Sequence, residues 1–270
     1  MIRDITIGQY YPSNSKLHRL DPRVKIMCTL LYLISLFLFQ NIWGYLVATV
    51  FLIFVIRSSK VPFKYIVKGL RPIIMLLMIT VVFNLFLNNT GDVLVKFWIF
   101  QITTDGLRTA VFMAIRLIYL ILGSSLMTFT TTPNALTDGI ESLLKPLQKI
   151  KVPVHEIAMM MSIALRFIPI LLEETDKIMK AQIARGADLE SGNIVQKAKA
   201  MVPILVPLFV SAFRRANDLA MAMEARCYHG GEGRTKMKPL VHEGRDYMAY
   251  AITIAYVVIA VMIGQLGSPF

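Results

Sequence analysis

Two short phrases rhyme in the second half of this 270-residue chain: Ala181-Gln182-Ile183-Ala184-Arg185-Gly186 and Ala222-Met223-Glu224-Ala225-Arg226-Cys227. Both read Ala-x-x-Ala-Arg-small, each follows a run of helix-forming residues, and glycine comes soon after each (Gly186 and Gly192; Gly230 and Gly231). The chemistry they offer is recognition rather than bond-making. The last carbonyls of a helix lack intrahelical partners, and the helix dipole makes that end negative. An arginine there is favoured locally and still presents a planar, permanently charged fork. The small residues beside it, Ala184 and Gly186 or Ala225 and Cys227, let the tip approach another protein closely. Such an arginine either caps its own helix or serves as a docking fork, and two copies in one segment favour docking.

The other residues with chemical potential do not assemble into a reaction. His155-Glu156 opens like a zinc-protease helix, but the second histidine would fall at 159, which is methionine. Only four histidines are present, none paired at ligand spacing on one helix. Glu173 and Glu174 are adjacent and point to different sides of a helix, so they make a poor catalytic pair. The glycine-rich 230–236 stretch lacks the spacing of a P-loop and follows no strand. No serine sits in a nucleophile elbow. Catalysis, a metal and a cofactor are therefore not expected. Arg116 interrupts an apolar run and is costly in lipid. It calls for an ion pair, a hydrogen bond to helix carbonyls or a place on a substrate path. Cys28 and Cys227 stand far apart and imply no disulfide framework. Sixteen methionines, among them Met159 and Met160, suit either membrane filling or a surface that accepts several partners.

The elements that position these residues belong to a membrane protein. The chain is 56% hydrophobic with a mean hydropathy of +0.59, too apolar for a soluble domain of this length. Its net charge of +12 lies in loops between apolar runs, which fits cytoplasmic loops facing anionic lipid. The basic residues form no continuous face with interleaved aromatics, which excludes nucleic acid as a partner. The polar first 23 residues carry no apolar core, so no cleavable signal peptide is expected and the first span acts as the insertion signal.

The expected fold is all-α: polytopic membrane helices plus long cytoplasmic or interfacial amphipathic helices. An N-terminal membrane domain over 1–130 holds four spans at about 24–39, 42–56, 73–87 and 107–129. The stretch 131–245 holds amphipathic helices, two of which end at Arg185 and Arg226, and 246–270 holds the last span. The basic loop 57–71 marks the cytoplasmic side, so five spans place the N-terminus inside and the C-terminus outside. Asn88-Asn89-Thr90 matches a glycosylation acceptor, a match too frequent by chance to carry weight. The helices of 154–185 and 201–226 each have an apolar start and a polar finish, and Pro169, Pro203 and Pro207 lie in the apolar parts, where proline breaks the hydrogen-bond ladder.

Taken together these residues resemble the transmembrane T component of energy-coupling factor transporters, the vitamin-importing branch of the ABC class. The resemblance covers almost the whole chain. Leu17-His18-Arg19-Leu20-Asp21-Pro22-Arg23-Val24-Lys25 looks like that family's start, and Ala184-Arg185-Gly186 and Ala225-Arg226-Cys227 match its paired arginine signatures. The second departs at its last position, with cysteine where glycine is common. The resemblance implies long cytoplasmic coupling helices that cross, with each signature at a helix tip docked on one subunit of an ABC-type ATPase pair. It also implies a separate membrane-embedded substrate-binding S subunit, whose contact surface would include Met159, Met160, Pro169, Pro203 and Pro207. The setting it implies is a prokaryotic plasma membrane. Two rivals stand beside it. A conventional ABC permease would form the substrate path itself and carry a Glu-Ala-Ala-x-x-x-Gly loop, but here Glu224-Ala225 is followed by Arg226 where the second alanine would stand. An integral-membrane enzyme would need a convergent polar site within the spans.

Overall fold

The computed structural model describes residues 10–39, 41–70, 73–87, 93–97, 100–187, 193–231, 237 and 239–266. Gln40, Arg71, Asn88-Asn89-Thr90, Gly192 and the 232–236 part of the glycine-rich loop lie outside the described residues. Helices dominate: α1 (Pro22–Leu38), α2 (Ile42–Ser59), α3 (Phe63–Leu70), α4 (Ile74–Leu87), α5 (Thr104–Thr130), α6 (Pro133–Leu144), α7 (Val154–Ala184), α8 (Ile194–Glu224) and α9 (Gly244–Leu266). Five of them, α2, α5, α7, α8 and α9, are long and apolar enough to cross a membrane. α1, with 17 residues, and α4, with 14, are shorter.

Two elements were not expected. An antiparallel hairpin pairs β1 (Val93–Phe97) with β2 (Phe100–Thr103), inside what reads as an irregular loop. Runs this short fit strand or loop equally well in sequence. The basic 57–71 stretch is largely helical rather than a loop. α2 continues through Arg57, Lys60 in the left-handed region closes it, and the carbonyl of Pro62 accepts the amide of Tyr65 to open α3. Lysines do not oppose a helix, and Ile66, fully buried, anchors this one.

The described residues of Gly8–Gly139 with Leu240–Phe270 form one compact unit, and those of Ile140–Pro239 a second. In the first, α5 packs on α1, α2, α3 and α4, while α9 packs on α1 and α2. Lipid is as apolar as leucine, so close packing and hydrogen bonds must hold such helices together. Aromatic rings supply the packing. Phe51 stacks on Tyr256 with centroids 4.1 Å apart, and Tyr45 on Phe112 at 5.3 Å. Gly123 lets the Tyr32 ring lie against α5; a Cβ there would stand 2.4 Å from it.

A polar knot ties the lead-in to this unit. Asp21 caps α1, accepting from the amide of Arg23 at 2.8 Å and from its guanidinium at 2.8 Å. Pro22 at the first helical position needs no amide partner. Arg23 also donates to the carbonyl of Leu240, and the amide of Asp21 donates to the carboxylate of Asp246, which is almost wholly buried. The ammonium of Lys25 donates to the carbonyls of His18 and Thr130. Burial raises the pKa of Asp21, but the hydrogen bonds from Arg23 outweigh it and hold the carboxyl below its usual range. Arg23 and Lys25, which read as loop charges, are thus structural.

Candidate functional site: two arginine-tipped helices

The second unit is built on α7 and α8, of 31 residues each. They run antiparallel. The side-chain amide of Gln182 near the end of α7 donates to the carbonyl of Pro203 at 3.2 Å. Further back, Glu174 accepts from Ser211 at 2.7 Å and forms an ion pair with Arg215. At the start of α7, a Cβ on Gly231 would meet the ring of His155, so the chain leaving α8 passes close there. Arg185 and Arg226 therefore stand at opposite ends of the pair, each about 15 Å of helix or more beyond the Glu174 contacts.

The two tips share one geometry. At the first, the amide of Gly186 bonds the carbonyl of Ile183 and that of Ala187 bonds Gln182, with Gly186 at φ 87°. At the second, the amide of Cys227 bonds Glu224 and that of Tyr228 bonds Met223, with Cys227 at φ 56°. Both are Schellman closures, with the arginine as the last half-helical residue and its successor left-handed. The third position of each phrase is thus set by backbone hand, which explains Gly186 and makes Cys227 the strained member.

The backbone performs the capping, and the side chains do not. Ala184, Arg185, Gly186, Ala225, Arg226 and Cys227 are all exposed. Among the described residues neither guanidinium has a hydrogen bond, an ion pair or a ring contact. Of the two readings open to these arginines in sequence, self-capping is therefore not what the fold does.

The five residues assigned to a contact surface are accessible: Met160, Pro169, Pro203 and Pro207 are exposed and Met159 is partly so. They do not form one patch, since Met159 and Met160 are consecutive on a helix and diverge. The continuous apolar surface is on α8, where Val202, Val206, Phe209 and Phe213 follow one face and are all exposed. The prolines act on the ladder. Pro207 has no amide to offer the carbonyl of Pro203, and Gln182 of α7 fills that vacancy.

The remaining sequence candidates settle as structural parts. His155 Nδ1 lies 3.0 Å from Glu141 Oε1, and among the described residues no group of three His, Cys, Asp or Glu could hold a metal ion. Among the described residues Arg116 makes neither an ion pair nor a carbonyl bond; its Nε donates to the hydroxyl of Tyr45 at 3.1 Å and its guanidinium covers the ring of Phe37. Sequence reasoning missed the Glu174–Ser211–Arg215 contact, whose partners lie too far apart in the chain to be paired by spacing. The polar knot did leave a signal, the Asp21-Pro22 helix start.

A family model described as cobalt transport protein (CbiQ) matches residues 13–237, most of the chain and both arginine phrases. The chain belongs to the CbiQ family. Its relatives extend the match. The energy-coupling factor transporter transmembrane protein EcfT of Clostridium kluyveri is 58% identical over 263 residues, 97% of either chain. The protein of the same name from Ruminiclostridium cellulolyticum is 55% identical over 256 residues, 95% of this chain and 96% of that one. That from Bacillus subtilis is 47% identical over 263 residues, 97% and 98% of the two. The resemblance carried by the arginine phrases thus holds across the CbiQ-family chain as a whole.

Proposed function

We propose that this chain is the transmembrane coupling subunit of an energy-coupling factor transporter, itself non-catalytic. The observation that carries the reading is the pair of matched, backbone-capped helix tips whose arginines are exposed and, among the described residues, unpartnered. Two ABC-type ATPase subunits dock on them, one on Ala184-Arg185-Gly186 and one on Ala225-Arg226-Cys227. Each guanidinium enters an acidic or carbonyl-lined groove of its ATPase, where truncating a desolvated pair costs about 2–5 kcal/mol.

Coupling follows from the antiparallel arrangement. The two tips lie at opposite ends of one antiparallel pair, so closure of the ATPases on ATP swings both helices about their mutual contact. Each helix carries that motion from its polar finish to its apolar start. There the exposed face of α8, with Pro203 and Pro207, and the Met159, Met160 and Pro169 region of α7 hold a separate membrane-embedded S subunit, which carries a vitamin or another micronutrient. The helices sit in a prokaryotic plasma membrane, with the N-terminus in the cytoplasm and the C-terminus outside, as the basic loops direct.

A pull-down tests the docking. The chain is co-expressed with an ATPase pair and an S subunit, and wild type is compared with Arg185→Glu, Arg226→Glu and the double variant, each checked for membrane insertion. The double variant is expected to lose both ATPases. Retention at the wild-type level would reduce the two phrases to helix ends without a partner.

A further inference from the structure

α2 and α5 leave between them an open groove of about 380 Å3, walled by Ile42, Tyr45, Leu107, Val111 and Ile115. The walls are apolar except for one charge, Arg108, which is exposed and stands with its guanidinium 5.7 Å from the centroid of the Phe112 ring. Asp105 precedes it by three residues, yet among the described residues Arg108 has no ion pair with that or any other acid. Two turns on, about 12 Å by helix rise, Arg116 is also without a carboxylate among the described residues, its guanidinium set against the Tyr45 hydroxyl, the Phe37 ring and the Met113 sulfur.

The depth of these cations is fixed by their neighbours. Phe37 lies in the last turn of α1 and Tyr45 in the first turn of α2, and those ends meet at the short connection between the helices. Connections between spans mark a membrane boundary, because backbone without internal partners is not tolerated in hydrocarbon. Among the described residues, two guanidinium groups without a carboxylate therefore flank an apolar groove, Arg108 on its headgroup side and Arg116 two turns deeper. A phosphate meets the first need through charge-assisted hydrogen bonds, and an acyl chain meets the second. A free phosphate would leave the apolar wall uncovered, and a zwitterionic lipid carries its own cation to compete with the arginine.

The geometry points to the α2–α5 groove as a site that selects an anionic phospholipid, its phosphate on Arg108 and an acyl chain along Leu107, Val111 and Ile115. Arg116 adds positive potential deeper in the groove and favours the same headgroup charge. The site is separate from the arginine tips and does not depend on their role.

Trp43 reports on it, being exposed and next to Ile42 of the groove wall. The chain has two tryptophans, so Trp98→Phe leaves this one alone. The full-length Trp98→Phe protein is placed in mixed vesicles of phosphatidylcholine and phosphatidylglycerol, with brominated acyl chains on one lipid or the other. Brominated phosphatidylglycerol is expected to quench Trp43 about fivefold more effectively per mole than brominated phosphatidylcholine, the enrichment one basic residue gives near an anionic headgroup. Arg108→Gln is expected to bring that ratio close to one, and Arg166→Gln, the loss of an exposed arginine on α7, to leave it unchanged. Equal quenching by the two lipids in the parent protein would overturn the proposal. So would an equal loss of preference in Arg166→Gln, which would make the effect one of net charge.

Discussion

Cys227 and Gly186 occupy the same place in two equivalent closures, and they differ in how well they tolerate it. A residue with a Cβ in the left-handed region costs about 1 kcal/mol relative to glycine. Cys227→Gly is therefore expected to raise the thermal midpoint of the purified protein, and Gly186→Ala to lower it, each by the equivalent of about 1 kcal/mol. Thermal scans in one detergent would show it, and equal midpoints would mean the tips fray too readily for the cap to count. The sequence made the arginines and their small neighbours visible. It could not show that the small residue answers a demand for backbone hand, because smallness and left-handed tolerance coincide in glycine and separate only in cysteine. His18 offers a second test at this scale. Its Nε2–H donates to the carbonyl of Tyr11 at 2.9 Å and its Nδ1 accepts from Ser15 at 2.7 Å, so the neutral ring is satisfied on both sides. Burial lowers its pKa from 6.5, the Tyr11 bond opposes this, and the charge of Lys25 adds to it. Below that value the unfolded lead-in binds the proton that the folded one resists. The anchoring His18 provides is therefore full above pH 6.5 and lost as pH falls toward the folded value. Hydrogen-exchange protection in the lead-in, taken relative to the intrinsic rate at each pH, is expected to fall over that window in wild type and to stay flat in His18→Gln.

At the scale of elements, the apolar runs make most helices legible, since a helix that meets lipid must be apolar along its length. What joins α7 to α8 was hidden, because its parts are ordinary polar residues far apart in the chain. Glu174 is the hub of that junction, taking both Ser211 and Arg215. Residues that share one partner are not additive. Glu174→Ala and Arg215→Ala are each expected to weaken the α7–α8 junction, and the double variant to be little worse than Glu174→Ala alone. Limited proteolysis at the α7–α8 connection would measure this, and full additivity would show that the two side chains act separately. The prolines belong to the same scale. In sequence they read as bends, whereas in the fold the carbonyl freed by Pro207 becomes a docking point for Gln182. A break in one ladder is thus converted into a tie between two helices.

For the whole molecule, the question is whether the α7–α8 pair must move. The helix tips are matched but set at opposite ends, so on the proposed docking a rigid bar and a pair of scissors would both present two arginines to an ATPase pair, and only scissors would change shape as the ATPases close. The Glu174–Ser211 contact lies between the arms, and the chain has just two cysteines to remove. In a Cys28→Ser, Cys227→Ser background, Glu174→Cys with Ser211→Cys can be bridged by a short bis-methanethiosulfonate, each cysteine thiolate displacing a sulfinate to form a reducible disulfide. If coupling uses relative rotation of α7 and α8, the bridged transporter keeps both ATPases in a pull-down yet loses substrate uptake, and reduction of the bridge restores it. If uptake persists while bridged, the pair tilts as one body and the contact only sets the spacing of the arginines. The unbridged double-cysteine protein separates loss of the Glu174 contact from the effect of the bridge. Among the described residues the pair is held by one ion pair and a few hydrogen bonds, with most of its apolar surface exposed, so little keeps it rigid, and the expected outcome is loss of uptake.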